Sequence, residues 1–438
     1  MKQIYLWVLS AVLVLGALLP QRVLSQTLTL EEALRIAQEN APTARIAQER
    51  SAQSAARVRM AESAFYPQLG ISSSYVSSDN PVQAFMFALN QGKFSMQADV
   101  NNPPRADNWL LSGQVGLRVF SGGSDMANRQ AANSARIGLE NMELATRNEV
   151  SLQVLQAYLS VLTAEQFVRA AETAVKAFET AEGVISSRVA AGTALKTDLL
   201  NIQVQRIQAE EQKLRAGNAL LLAKEGLKFA LGVETLPYTE FSSLERVGIK
   251  EAPSESKGLR PELTASDAFA QAARAQLKAA KGSYLPSINA FASIDRYQGW
   301  EFDGTNDNWT IGVNAQWSIF DGFLTRSKVR EKRAALNIAE EEARMTKLRT
   351  SLELESARSS MLEATKRVAV MTQATELASE SATLTRQRFD QGLMLTSQVI
   401  DAENALVQAE VGLAQAKADR LFAIASLRRA LNLPIVGE

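Results

Sequence analysis

Two stretches of the chain alternate apolar and polar residues, at 109–120 and at 308–320. Their starts, Asn108-Trp109 and Asn308-Trp309, are 200 residues apart. Successive side chains on a strand point to opposite faces, so each stretch predicts a strand with one apolar and one polar face. At about 12 residues, each slightly exceeds the roughly 9–11 residues that a tilted strand needs to cross a bilayer. The apolar positions expected to face lipid are Trp109, Leu111, Val115, Leu117, Trp309, Ile311, Val313 and Trp317.

A weaker alternating segment precedes each of these strands, at 67–77 and at 286–295. Each follows a helical pattern that opens with a proline, Pro42 or Pro261, and ends at a second proline 25 residues later. Proline favours the first turn of a helix and disfavours the helical conformation of the residue before it. The sequence therefore predicts the order helix, strand, strand in each half of the chain.

Each Trp-led strand is followed by a long proline-free segment rich in helix-forming residues, from about 124 to 187 and from about 325 to 388. A helix of ~64 residues would be ~96 Å long. Breaks near Gly192 and Gly392 predict hairpin tips, because glycine favours helix ends, and helical patterning resumes after each tip.

The chain therefore consists of one unit written twice. The segments are a signal peptide at 1–25, a first repeat at 26–231, an irregular linker at 232–260 and a second repeat at 261–438. Residues 4–19 form an apolar run after Lys2, and a small residue stands at the expected cleavage point, Ser25. The strand-to-strand connection at 78–107 is 19 residues longer than its counterpart, and we expect a long loop there that carries an apolar island at 85–89.

Composition argues against an enzyme. The chain has no histidine and no cysteine, which removes the commonest general base and the commonest ligands of transition metals. The first 25 residues include two basic and no acidic residues, so the zero net charge of the whole chain becomes about −2 without them. That balance gives no reason to expect a nucleic-acid partner. We therefore predict no catalytic residues, no cofactor and no metal site.

Four strands in one chain cannot close a barrel, and an open sheet in lipid leaves unpaired backbone groups that cost several kcal/mol each. A membrane interpretation requires oligomers, in which a dimer gives eight strands and a trimer gives 12. The same alternation also describes an ordinary sandwich strand with one buried face. The alternative is a secreted trimeric coiled-coil stalk or adhesin with a small β head and no channel activity.

Several weak motifs recur in a fixed order in both halves. They are Leu28-Thr29-Leu30-Glu31-Glu32-Ala33-Leu34, Asn40-Ala41-Pro42, Arg260-Pro261-Glu262-Leu263, Tyr284-Leu285-Pro286, the Phe-x-Gly turns at 120–122 and 320–322, and the Arg-x3-Gly tips at 188–192 and 388–392. With this order and duplication, the mature chain resembles the TolC-like outer membrane efflux protein family along its whole length.

The resemblance implies a mainly α-helical fold with a membrane β-barrel. Three copies would form a homotrimer whose 12-stranded barrel lies in outer membrane lipid and whose α-helical barrel projects through the periplasm. Such proteins are passive exit ducts of tripartite efflux or type I secretion systems. A periplasmic adaptor and an inner-membrane pump of the RND or ABC type would be the partners.

The resemblance also implies roles for residues at the hairpin tips. Acidic residues just past each tip would line a periplasmic aperture; Asp198 and Asp401 match them, while Gln398 stands where another acid is often found. Met394 replaces a basic residue often seen there, which puts salt bridges across the aperture in doubt. The positions matching the adaptor-docking tips are Arg188, Gly192, Leu195, Arg388, Gly392 and Leu395.

A duct also needs a polar lumen. On a helical wheel, residues 149–164 have a wide apolar arc and a narrow polar stripe. That stripe is equally compatible with a plain solvated helix face. The lumen candidates on it are Glu149, Gln153, Gln156 and Ser160.

Overall fold

A computed structural model of the chain describes residues 27–97, 99, 101–238, 240–251, 253 and 258–436. The signal peptide predicted at 1–25 lies outside the described residues. No described helix combines the length and the apolar composition that crossing a membrane requires.

The first half of the chain contains helices, strands and a long helical hairpin. Its elements are β1 (Thr27–Leu28), α1 (Leu30–Asn40), α2 (Pro42–Glu62), β2 (Gln68–Ser78), α3 (Pro81–Asn90), β3 (Ala106–Ser121), α4 (Ser124–Ala190) and α5 (Lys196–Leu231). The Thr29 hydroxyl caps α1 by accepting the N–H of Glu32 at 3.3 Å. Helix α2 begins at Pro42, whose missing N–H costs nothing in the first helical turn.

The second half repeats the order helix, strand, strand and long helical hairpin, without counterparts of α1 and α3 among the described residues. Its elements are β4 (Glu240–Phe241), α6 (Pro261–Gly282), β5 (Ser287–Gly299), β6 (Gly304–Gln316), α7 (Leu324–Asp390) and α8 (Thr396–Ala430). Helices α4 and α7 are each 67 residues long.

The second Trp-led strand ends earlier than the alternation predicts. It was expected to reach residue 320, but β6 ends at Gln316, so Trp317 lies just beyond the strand. The Trp317 indole N–H instead donates to the Tyr284 carbonyl at 3.1 Å. The Asp321 carboxylate then accepts the N–H of Thr325 at 2.8 Å at the start of α7. The strand thus ends before α7 begins at Leu324, although the apolar–polar alternation continues.

The connection at 78–107 contains a helix, which corrects the expectation of a long loop. Asn80 caps α3 by accepting the N–H of Val82 at 3.0 Å, and Pro81 occupies its first turn. The apolar island at 85–89 lies on this helix. The Asp107 carboxylate accepts the backbone N–H groups of Trp300 at 3.0 Å and Glu301 at 2.8 Å. These bonds tie the end of the connection to the β5–β6 turn.

The contacts divide the chain into two compact units that do not follow the repeats. The first comprises the described residues within Met1–Arg45, Thr146–Gly258 and Leu352–Glu438. Its core surrounds Tyr158, a fully buried side chain on α4. The Tyr158 hydroxyl donates to the Leu28 carbonyl at 2.7 Å and lies 2.7 Å from the Ser242 hydroxyl. Strand β1 pairs in parallel with β4, so the segment predicted as an irregular linker contributes a short strand.

The second unit comprises Ile46–Ala145 and Leu259–Ser351 and contains the four-stranded sheet. The strand order is β2-β3-β5-β6, and every neighbouring pair is antiparallel. Among the described residues, the outer edges of β2 and β6 have no strand partner. The sheet therefore presents two open edges.

Candidate functional site

The strand register places the predicted lipid-facing residues of β3 and β6 on one face of the sheet. Opposed residues in a ladder share a face, and Val115 pairs with Ala292, which pairs with Ile311. On β6, Trp309, Ile311 and Val313 are 71–76% exposed. The β3 residues Trp109, Val115 and Leu117 are half-buried, and Leu111 is at the edge of exposure. Seven of the eight candidates thus lie on one face of the sheet, and Trp317 lies beyond the end of β6.

The apolar face ends in a polar row and aromatic side chains. Leu111 pairs with Arg296, whose guanidinium forms two hydrogen bonds of 2.7 Å to the Asp307 carboxylate on β6. In the next row the indole N–H of Trp109 donates to the Ser73 hydroxyl at 2.8 Å, and Tyr75 stands directly opposite Trp109. Aromatic rings with a polar tip favour the boundary between hydrocarbon and water.

The opposite face of the sheet carries polar side chains around one carboxylate. Asp295 on β5 accepts the hydroxyls of Ser112 on β3 and Ser293 on β5, the latter at 2.9 Å. The register continues this face through Gln114 and Asn308. One face of the same sheet is therefore suited to hydrocarbon and the other to water.

The proposed lumen stripe lies on the part of α4 that also lines the core. Gln153, Gln156 and Ser160 are exposed, whereas Val154, Leu155 and Tyr158 between them are buried. The Glu149 carboxylate is neutralised by Arg429 on α8, 2.9 Å away. Gln153, Gln156 and Ser160 are therefore exposed to water. The negative charge of Glu149 is offset by Arg429, so Glu149 adds little net charge to the stripe.

Both hairpin tips have the same backbone turn. Gly192 and Gly392 adopt φ values of +74° and +81°, a left-handed conformation that side chains with a Cβ disfavour. Leu195 and Leu395 follow the turns and are 69% and 68% exposed. Each tip thus presents a leucine beside a glycine that allows close approach.

The three aperture candidates lie at the starts of the return helices. Asp198 is in the first turn of α5, and Asp401 is exposed in the second turn of α8. Neither carboxylate forms an ion pair with any described residue. The Gln398 side chain accepts the backbone N–H of Leu395 at 3.0 Å and so caps α8. Its amide is thus engaged by the helix end.

Sequence reasoning missed two features of the helical hairpins. Arg386 on α7 and the buried Glu403 on α8 form a two-point ion pair. No sequence motif marks this pair, because the two residues belong to different helices. The second feature is a set of exposed apolar residues at seven-residue spacing. This spacing is visible in the sequence and could have been found there. These residues are Leu200, Ile207, Leu214 and Leu221 on α5, and Val370, Leu377 and Leu384 on α7.

Within the described ranges, no group of three or more acidic side chains lies close enough together to hold a metal ion.

The chain matches the model of the family described as outer membrane efflux protein, over residues 27–233 and 252–433. These residues make up most of the sequence, and the chain belongs to this family. No curated protein sequence gives a significant match.

Solved structures with a similar fold include three outer membrane proteins. The Campylobacter jejuni CmeC outer membrane channel has a TM-score of 0.82 at 16% identity, covering 93% of this chain and 87% of that one. The open-state Neisseria gonorrhoeae MtrE outer membrane channel has a TM-score of 0.77 at 15% identity, covering 93% and 89%. The Vibrio cholerae outer membrane protein VceC has a TM-score of 0.75 at 19% identity, covering 93% and 97%.

These findings confirm the predicted mainly helical fold class with few strands and the family resemblance. The protein is an outer-membrane exit duct with a long periplasmic helical portion. Its family consists of channel proteins rather than enzymes. The alternative of a stalk or adhesin without channel activity has no support among the similar proteins.

Proposed function

We propose that three copies of this chain form one duct that works with a periplasmic adaptor and an inner-membrane pump of the RND or ABC type. The observation that carries the proposal is the four-stranded sheet with an exposed apolar face and two open edges. In lipid, unpaired strand edges cost several kcal/mol per backbone group, so the edges must pair with other copies. Each repeat, 26–231 and 261–438, would contribute two strands to a 12-stranded barrel.

The dimensions of the sheet support insertion in a bilayer. From Trp309 to Trp317 the chain advances eight residues, or about 26 Å at the rise of a strand. A strand tilt of about 40° reduces this to about 20 Å, slightly less than the roughly 25 Å apolar band of outer-membrane barrels. Trp109 and Tyr75 flank the band at the first end, and Trp317 stands at the other.

The helices support association outside the membrane. The seven-residue spacing of exposed apolar side chains on α5 and α7 matches one of the two apolar positions of a coiled-coil heptad. Burying a leucine side chain is worth about 1.5–3 kcal/mol. A second copy that covers these two stripes would remove them from water.

The aperture is proposed at the acids past the tips. In a trimer, Asp198 and Asp401 would each contribute three carboxylates, and carboxylate rings favour cations at a constriction. Their lack of ion pairs among the described residues supports this role. Gln398 would contribute through the shape of the α8 start rather than through charge, because its amide caps that helix.

Adaptor docking is proposed at the tips, around Leu195 and Leu395. Gly192 and Gly392 have no side chain, so another helical hairpin can approach each tip closely. The exposed leucine three residues after each glycine offers that hairpin an apolar contact. The lumen is proposed along Gln153, Gln156 and Ser160.

Two measurements on the detergent-purified protein test the proposal. Native mass should give a trimer, and planar-bilayer recordings should give discrete conductance steps. Asp401→Ala should then weaken both cation selectivity and block by divalent cations, whereas the control Glu380→Ala, an exposed acid on α7, should leave both unchanged. A monomer that never conducts would refute the trimeric duct. Conducting trimers with unchanged selectivity in Asp401→Ala would remove only the aperture role.

A further inference from the structure

The two hairpin tips share their backbone geometry but differ in how the end of the first helix is capped. At the first tip, Gly192 donates to the Val189 carbonyl at 3.0 Å and Thr193 donates to the Arg188 carbonyl at 2.9 Å. At the second tip, Gly392 donates to the Phe389 carbonyl at 2.9 Å and Leu393 donates to the Arg388 carbonyl at 2.9 Å. The turns are therefore nearly superimposable in their main-chain bonds.

At the second tip, a side chain from the first repeat completes the cap. The Arg188 guanidinium donates to the carbonyl of Phe389 and, at 3.1 Å, to that of Asp390. Its central carbon also lies 5.1 Å from the centre of the Phe389 ring. The last carbonyls of a helix lack intrahelical partners and carry partial negative charge, so a guanidinium there is favourable.

At the first tip the equivalent cap is missing. The Ala190 carbonyl, the counterpart of the Asp390 carbonyl, accepts no hydrogen bond from the described residues. Arg388, the counterpart of Arg188 at an offset of 200 residues, is exposed and has no side-chain partner anywhere in the described part of the chain. One chain therefore has, among its described residues, a guanidinium without a partner on its second hairpin and an Ala190 carbonyl without a donor on its first.

We propose that Arg388 of one copy caps the first tip of a second copy, by donating to the carbonyls of Val189 and Ala190. The proposal rests on the trimer of the proposed function. The internal repeat supplies the geometry, because the Arg188 contact would recur once per repeat around the ring of tips. Contacts within a chain would then alternate with contacts between chains, and six tips would be linked.

The two kinds of contact differ in chemistry. Val189 stands where the second tip has Phe389, so the contact between chains has no aromatic ring beneath its guanidinium. A guanidinium over an aromatic ring gains attraction from the ring quadrupole. The contact between chains is therefore the weaker of the two, and the tips should part first between chains rather than within one.

Site-directed cross-linking tests the proposal directly, because the chain contains no cysteine. The double variant Arg388→Cys/Ala190→Cys is treated, as the detergent-purified assembly, with a short bis-maleimide whose span is comparable to an arginine side chain. The products are separated on a denaturing gel. The matched control is Arg188→Cys/Asp390→Cys, which should cross-link within a chain and keep the mobility of a monomer.

Covalent dimers and trimers, with no larger species, from the Arg388→Cys/Ala190→Cys variant support the proposal. Native trimers that give only monomers on the denaturing gel overturn it and leave the trimeric duct intact. Dimers that form equally from the single variant Arg388→Cys also overturn it, because they would show that like tips meet. A protein that is monomeric by native mass overturns both proposals.

Discussion

Removing the guanidinium of Arg386 should loosen the second helical hairpin close to its tip. Arg386 on α7 donates through Nε and, at 2.7 Å, through a terminal nitrogen to the two oxygens of Glu403 on α8. The Glu403 side chain is only 3% exposed, whereas that of Arg386 is 40% exposed. The hydrogen bonds that Arg386 donates to Glu403 raise the pKa of Arg386, so its guanidinium remains charged. Arg386→Met would leave the carboxylate buried without its cation.

The burial of the Glu403 carboxylate determines how much free energy the loss of Arg386 costs. Breaking a buried ion pair by removing one partner typically costs 3–5 kcal/mol, and water around the exposed side of Arg386 places this pair at about 3 kcal/mol. A difference of about 3 kcal/mol corresponds to roughly 100-fold in an equilibrium constant. Opening of the hairpin should therefore become about 100 times more frequent.

Amide hydrogen exchange of the detergent-purified protein measures this local opening. Amides of α7 and α8 around residues 380–410 should exchange about 100-fold faster in Arg386→Met, while those around Tyr158 keep the wild-type rate. Burial raises the pKa of the nearby Glu410, and the Arg386 charge opposes that rise. Acidification should therefore narrow the difference in exchange rate between Arg386→Met and wild type, because a protonated Glu410 no longer interacts with the Arg386 charge.

The double variant Arg386→Met/Glu403→Met is the matched control. An apolar pair of similar volume avoids a buried unpaired charge and should recover most of the protection. Exchange in Arg386→Met that stays within a few-fold of wild type would refute the reasoning, because the ion pair would then contribute little to holding the two helices together.

Three further predictions concern stability, each measured by thermal unfolding. Tyr158→Phe should cost about 1–3 kcal/mol, because the buried partners of the hydroxyl lose their bonds; an unchanged Tm would contradict this. Burial raises the pKa of Glu165 above its unfolded value, so stability falls as pH rises through that interval. Glu165→Gln should therefore raise the Tm at neutral pH and have little effect near about pH 4; an equal gain at both would contradict this. Gly122→Ala should destabilise more than Gly322→Ala: both have positive φ, but only at Gly122 would a Cβ meet the Gly282 carbonyl, at 2.1 Å. Equal losses would count against the steric argument.

Sequence patterns located features that depend on neighbouring residues. The alternation of apolar and polar residues identified the strands, because successive side chains on a strand point to opposite faces. The helix α3 shows how a local signal can be overlooked: Asn80 and Pro81 form a good helix start, but the polar surroundings favoured a loop. Conversely, Trp317 continues the alternation without belonging to β6, and its indole N–H donates to the Tyr284 carbonyl, 33 residues away in sequence.

The candidate residues at the tips also show which properties the sequence predicts and which only the fold reveals. The sequence singled out Gln398 by its position, but only the fold shows that its amide caps α8. In the sequence, Arg188 and Arg388 look equivalent, because they are 200 residues apart and each begins an Arg-x3-Gly motif. The tertiary structure distinguishes them, because Arg188 reaches the end of α7 and Arg388 reaches no described residue.

The sequence by itself determined the duplication, the four strands, the long helices and the family, because each follows from periodicity, turn residues and motif order. The tertiary structure alone decided which charges are paired, which helix ends are capped and which apolar stripes remain uncovered. The physical reason is the separation in sequence between the residues that interact. Periodicity acts between residues a few positions apart, whereas a hydrogen bond such as that from Arg386 to Glu403 requires two helices to bring their side chains within about 3 Å.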